Sequence, residues 1–237
     1  MARRLLGVVT AYVVIVGVVV GWGWLLTRPL AGPVDGFDDD VSRWFAGQRT
    51  SWLDPVSDVG TLLGETRVGL AVCAVVAVVA GLVLRSVGAV LLIPLANMGD
   101  GGIYWLGWHA DPRDRPPVRI LDTGLAPDHS FPSGHVGTAV AVYGGAALLL
   151  ALWLRSRGRS AGAGRLLIVL LAMVPVFVGV SRLYQGAHHL TDVGTSLVYG
   201  TVWLVVLAGL LRPRAASTEP AVPRSGRGHA DAPVPHG

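Results

Sequence analysis

The feature that most constrains this chain is a series of apolar runs, each about as long as a helix needs to cross a bilayer, roughly 20 residues. Six are read: Leu5 to Leu26, Val68 to Leu84, Val87 to Trp105, Ser133 to Leu154, Leu166 to Val180 and His189 to Leu211. In hydrocarbon each backbone polar group must be satisfied within its own segment, so runs of this kind fold as helices. Of the 237 residues, 52% are hydrophobic and only 14% charged, where a soluble domain carries about 25% charged residues. The fold class is therefore all-α: a polytopic membrane protein built as a six-transmembrane-helix bundle. The first run is too long for a cleavable signal and no small-residue cleavage pattern follows it, so it counts as a helix.

Charge sets the orientation. All 19 basic residues are Arg. Arg3, Arg4, Arg85, Arg155, Arg157, Arg159, Arg165, Arg212 and Arg214 fall on one side. Asp35, Asp38, Asp39, Asp40, Asp54, Asp58 and Glu65 lie on the other. The positive-inside rule then puts both termini in the cytoplasm of an integral plasma-membrane protein, with the loop 108–132 and the short fifth-to-sixth turn outside. This topology accounts for the high pI without nucleic-acid binding. Arg113, Arg115 and Arg119 break the bias and want a local reason. Between the first two spans, residues 28–65 hold an Asp run suited to a helix start and an apolar stripe of Val41, Trp44, Phe45 and Trp52. Asp54-Pro55 reads as a second cap, so short interfacial helices are expected here, as a lid, a wall for lipid access or a loop resting on headgroups. Trp22, Trp24, Trp105, Trp108 and Trp153 read as an aromatic belt, and Gly17 to Gly21 fits a small-xxx-small packing pattern. The membrane domain spans 1–211, followed by a disordered cytoplasmic tail, 212–237. The single cysteine, Cys73, lies in an apolar run and permits no internal disulfide.

Three polar clusters gather at the outer ends of the spans. In the first, Ser130 to His135, Pro132 suits a helix's first turn. Ser133 and Gly134 leave backbone N–H groups pointing out of the helix start, a site for an anion, and His135 brings a ring that titrates near neutral pH. The second is Ser181-Arg182, then His188, then Asp192 one helical turn later. A carboxylate on one imidazole nitrogen would fix the tautomer and make the other nitrogen a stronger nucleophile. On spacing alone, a structural Arg–Asp pair with a bystander histidine competes with this reading. The third, Arg113 to Pro117, adds guanidiniums suited to phosphate oxygens. Ionisable groups at the mouth of apolar helices point to function, and together these describe a phosphate pocket with a nucleophile and a proton donor. His129 and His189 read as supporting or solvent-facing. Asp100 and Asn97 support the pocket or bond neighbouring helices.

The chain resembles the type 2 phosphatidic acid phosphatase superfamily, integral-membrane lipid phosphatases related to vanadium haloperoxidases. That family's signature is Lys-x6-Arg-Pro, Pro-Ser-Gly-His, and Ser-Arg-x5-His-x3-Asp. The second part stands complete as Pro132 to His135 and the third as Ser181, Arg182, His188 and Asp192. The first is damaged: Arg115-Pro116 is present, but Trp108 replaces the lysine, with Arg113 the best stand-in and His109 a weaker one. The resemblance implies that His188 attacks phosphorus to form a phosphohistidine, oriented by Asp192. It implies that His135 protonates the leaving oxygen and then activates water, and that Arg115, Arg182, Ser133, Gly134 and Arg113 hold the phosphate. It implies no metal and no cofactor. The substrate expected is a lipid phosphomonoester or diphosphate drawn from the membrane lipids: a polyprenyl diphosphate, phosphatidate or phosphatidylglycerophosphate. A phosphotransferase and a non-catalytic lipid-binding protein remain alternatives; an ion-coupled transporter fits less well, since the ionisable groups sit at one face.

Overall fold

A computed structural model describes residues 2–158 and 162–213. Arg159 and the expected tail from Arg214 onward lie outside them. The described chain is helical: α1 (Ala2–Thr27), α2 (Ala31–Gly47), α3 (Leu53–Gly64), α4 (Thr66–Leu84), α5 (Val87–Ala110), α6 (Gly134–Ala139), α7 (Gly145–Ser156), α8 (Gly162–Tyr184) and α9 (Leu190–Leu211). A π-helical turn, Val140–Gly144, joins α6 to α7 without a break. With α6–α7 taken as one span, Gly134–Ser156, six helices among the described residues are long and apolar enough to cross a membrane. They are the six expected, and their ends move by a few residues. Most of the shift is outward extension: α5 continues to Ala110 and α8 to Tyr184. The polar cluster Ser181-Arg182 is therefore the last turn of a helix.

The span α6–α7 is central, packed against α4, α5, α8 and α9, while α1 leans on α5 and α9. Val136, Ala139 and Val142 from the central span meet Leu92, Ile93, Ile103, Val178 and Leu207 in the core. The outward faces of the spans carry Val13, Val75, Leu82, Leu166 and Val198, as lipid-facing helices do. Gly17 and Gly21 face open space, so the small-xxx-small pattern in α1 makes no helix contact. Close approach occurs elsewhere. A Cβ on Gly137 would land on the Asp100 carboxylate, and one on Gly60 would lie 2.6 Å from Ser181 Cβ. The first contact presses α6 onto α5, and the second presses α3 onto the C-terminal end of α8.

The loop before α4 folds as two helices, and its acids play a different part from the one expected. Asp35 to Asp40 lie inside α2, and α2 begins at Ala31 after Leu30, which makes no side-chain cap. Asp54 sits in the first turn of α3, which starts at Leu53 without a side-chain cap. It accepts a hydrogen bond from Tyr184 Oη at 2.7 Å. Arg49 Nε donates to the Tyr184 carbonyl at 3.0 Å, and Gln185 Nε2 donates to Ser57 Oγ and Asp58 Oδ1 at 2.8 and 2.9 Å. These bonds fasten α3 to the end of α8 as a fixed wall.

The strongest tie is ionic. Arg113, in the loop after α5, gives Nη2 to Asp35 and Asp38 of α2 at 2.8 and 3.0 Å, and Nη1 to Asp192 of α9 at 2.7 Å. Nη1 also donates to Thr191 Oγ1 at 2.7 Å. Burial disfavours the Arg113 charge, but Asp192, Asp35 and Asp38 outweigh it and raise its pKa.

Two substitutions test this packing. Arg113→Ala leaves buried carboxylates uncompensated and is expected to remove about 3–5 kcal/mol, read as a fall in thermal unfolding temperature in detergent. An unchanged melting curve would contradict a buried network. Gly137→Ala is expected to destabilise by about 1–3 kcal/mol through overpacking against Asp100, measured the same way.

Candidate active site

Four of the expected site residues, Arg115, Gly134, His135 and His188, line a cavity of about 200 Å³ at one end of the bundle, with Asp100, Tyr104, Asn97 and Leu125 also on its wall, while Asp192, Arg182, Ser133 and Arg113 stand outside that lining. Gly134 and His135 reach it because helix α6 begins there. The first N–H groups of a helix have no acceptor within it, and Gly134 opens onto the cavity. Ser133 is the N-cap and Pro132 stands one residue before it, outside the first turn where the sequence placed it. The Ser133 backbone N–H is spent on Ser196 Oγ at 2.9 Å, so it is not free for an anion as expected. Its own hydroxyl is buried with no partner among the described residues.

His188 lies in the turn between α8 and α9, buried to 3% exposure. Its Nδ1 is 2.6 Å from the Ser130 carbonyl. A carbonyl can only accept, so Nδ1 carries the proton and Nε2 keeps its lone pair. The expected orienting carboxylate is farther off: Asp192 Oδ2 stands 3.9 Å from Nδ1. The reason is that α9 starts at Leu190, so His188 is outside the helix, and Asp192 is committed to capping it. Asp192 Oδ2 accepts from the His189 backbone N–H at 2.9 Å and from Ser130 Oγ at 2.6 Å. Asp192 thus holds His188 through Ser130, whose hydroxyl it binds and whose carbonyl holds the ring. Burial, then the Arg182 charge, pushes the His188 pKa well below the ordinary 6.5, against a smaller pull from Asp192.

The arginines divide. Arg113 is turned away from the expected phosphate role: four of its five N–H donors go to Asp35, Asp38, Asp192 and Thr191, and it does not line the cavity. Arg115 is held by backbone alone: Nε donates to Ala126 O at 2.7 Å, Nη2 to His129 O at 3.1 Å, and Nη1 to Ala187 O. Three of its five N–H donors are used, and the residue still lines the cavity. Burial and the nearby Arg182 charge lower its pKa, with Tyr104, Asp192 and Asp122 pulling the other way. Arg182 is completely buried. Its Nη1 donates to Thr61 Oγ1 at 2.9 Å and its Nη2 to Asp122 Oδ2 at 2.8 Å. Nε has no partner among the described residues.

Neither stand-in for the family's lysine reaches the cavity. His109 stacks between Trp105 and Trp108, with ring centres 4.0 and 3.5 Å away, and Trp108 stacks on His129 at 3.8 Å. Tyr104, one turn before Trp108, lines the cavity instead and packs against Gly134. His189 is buried against Asp192, its Nδ1 3.3 Å from Oδ2. Asp100 serves both expected purposes: it lines the cavity and accepts from Tyr199 Oη at 2.8 Å. Sequence reasoning missed Tyr104, Thr61 and Asp122, which belong to no motif, and gave no role to Ser130, which opens the first cluster two residues before Pro132.

A sequence model described as the PAP2 superfamily matches residues 70–215. Among solved structures, the chain is similar to the crystal structure of the first transmembrane PAP2 type phosphatidylglycerolphosphate phosphatase from Bacillus subtilis. The identity is 20%, over 88% of this chain and 96% of that one, with a TM-score of 0.66. At that identity the likeness speaks for the fold: an all-α bundle that spans the membrane. No match was found among curated proteins. Both complete motifs and the helices that carry them lie inside or directly beside the matched fold, and this chain belongs to the PAP2 superfamily.

Proposed function

We propose that the protein is a membrane lipid phosphatase that hydrolyses a lipid phosphomonoester or diphosphate through a phosphohistidine on His188. The observation that carries this reading is the bond from His188 Nδ1 to the Ser130 carbonyl at 2.6 Å. It leaves Nε2 unprotonated on a ring that burial keeps neutral, beside a cavity shared with His135 and Arg115.

In the first step Nε2 attacks phosphorus, an N–P bond forms and the bond from phosphorus to the lipid oxygen breaks. His135 delivers a proton to that oxygen, which leaves as the lipid alcohol or monophosphate. In the second, His135 takes a proton from water, the water oxygen attacks phosphorus, and the N–P bond breaks to release inorganic phosphate. Arg115, Arg182 and the start of α6 balance the charge on the equatorial oxygens. Asp192 acts through Ser130 and the cap of α9. These groups meet at one end of the spans, where a lipid headgroup lies. The Arg bias of the opposite loops supports reading that end as the outer face, with both termini cytoplasmic. Phosphatidylglycerophosphate, the substrate named for the similar Bacillus subtilis protein, leads a panel that includes phosphatidate and a polyprenyl diphosphate.

Phosphate release by detergent-purified protein from this panel, run with EDTA and beside His188→Ala, tests the reading. Release is expected to be insensitive to EDTA and to fall about 1,000-fold or more in the variant. Equal, near-zero release from both proteins would contradict hydrolysis and favour a lipid-binding role. The tautomer has its own test in nitrogen-15 spectra of histidine-labelled protein. Because the pKa is lowered, falling pH protonates His188 only well below 6.5, so at about pH 6 it is expected as the neutral Nδ1–H form. An imidazolium signal for His188 at that pH would contradict the assignment.

A further inference from the structure

The Arg182 guanidinium is already held by a carboxylate to which the reaction above gives no part, Asp122. Its Nε–H and Nη2–H lie side by side on one edge, the edge through which a guanidinium grips an oxyanion with two parallel bonds. Here Nη2 donates to Asp122 Oδ2 at 2.8 Å, while the adjacent Nε has no partner among the described residues. A carboxylate thus holds half of the gripping edge of a fully buried arginine. Asp122 belongs to the loop between α5 and α6, and its side chain is one-quarter exposed. The loop is fixed at this point by the Leu121 backbone N–H, which donates to the Gln185 carbonyl at 3.0 Å. The other acids near the cavity are engaged elsewhere: Asp192 with Arg113 and Ser130, Asp100 with Tyr199. Arg115 bonds only backbone carbonyls. Asp122 is the one acid, among the described residues, that bonds either of these two guanidiniums.

We infer that Asp122 is a specificity-determining residue, an internal carboxylate that competes for Arg182 and admits only phosphates charged strongly enough to displace it. The inference rests on the lipid phosphatase reading for its substrate. A phosphodiester headgroup carries one negative charge. Exchanging Asp122 for it swaps like for like and leaves the carboxylate unpaired beside a new anion. A phosphomonoester or diphosphate brings about two charges near neutral pH and more oxygens for the Nε–Nη2 edge. Any anionic phosphodiester lipid beside the site is a competing ligand, so an arginine pocket without such an internal carboxylate would bind headgroups that it does not turn over.

Phosphorus-31 line-broadening titrations of the full-length protein in detergent test this, with inorganic phosphate as the dianion and dimethyl phosphate as the diester, at about pH 8 where phosphate is mostly dianionic. The wild type is expected to prefer phosphate. Asp122→Asn is expected to tighten dimethyl phosphate about tenfold, the size of one charge-assisted hydrogen bond, and so to narrow the preference. In an Arg182→Ala background the same change at Asp122 is expected to do nothing. Asp122→Ser, with its melting temperature recorded, covers the case in which the Asn variant misfolds. An unchanged preference in a folded Asp122 variant, or the same gain without Arg182, would overturn the inference. The readout is binding, so a protein with these ratios that releases no phosphate would uphold the competition while contradicting the phosphatase reading.

Discussion

Charge buried at the mouth of an apolar bundle must be neutralised locally, and Arg113 is where this fold does so. One guanidinium, 7% exposed, joins Asp35 and Asp38 of α2 to Asp192 of α9. A buried pair of this kind adds little against an apolar alternative, yet losing one partner is severe. Its value here is registration. Arg113 sets where α2 lies over the bundle and holds Asp192 at the start of α9. Asp192 in turn holds Ser130, and Ser130 holds the ring of His188. The expected nucleophile is therefore positioned by a chain of contacts that begins at a residue outside the cavity.

Three arginines, Arg113, Arg115 and Arg182, illustrate how one residue type takes different work from its surroundings. Arg113 meets three carboxylates, which take both of its terminal nitrogens. Arg115, two residues later, faces carbonyls at the turn before α9 and at the strand-like stretch before α6, which fix its plane while neutralising none of its charge. Arg182 is carried on the last turn of α8, with Thr61 on one side and Asp122 on the other. Of the three, only Arg115 lines the cavity, beside the start of the central span. The family's lysine is absent from the chain, and an aromatic stack of Trp105, His109, Trp108 and His129 covers that position.

Much of this was legible in the sequence, because long apolar runs leave the backbone no alternative to helix. All six spans could be read, as could Gly134, His135, Arg115 and His188 as neighbours. What could not be read depended on partners far along the chain. Arg113 and Arg115 sit in nearly the same local sequence, and Asp35, Asp38 and Asp192, each more than seventy positions from Arg113, separate their roles. The His188–Asp192 spacing pointed to a direct bond on one helical face. The helix starts two residues after His188, so a backbone carbonyl takes that place. The Asp run of α2 looked like a cap because caps favour Asp; its spacing instead serves a buried arginine. The π-helical turn after α6 has no sequence signal that we can name.

The claim at the centre of this account is that His188 Nε2 is the atom that takes the phosphoryl group. Rapid acid-free quenching of the protein during turnover of a phosphorus-labelled lipid phosphate, followed by peptide mapping, tests it most directly. The expected result is a base-stable, acid-labile label on the peptide carrying His188, formed within the first turnover and lost on a chase with unlabelled lipid. Turnover that proceeds with no label on that histidine would mean that water attacks the lipid phosphate directly, and the account would be wrong.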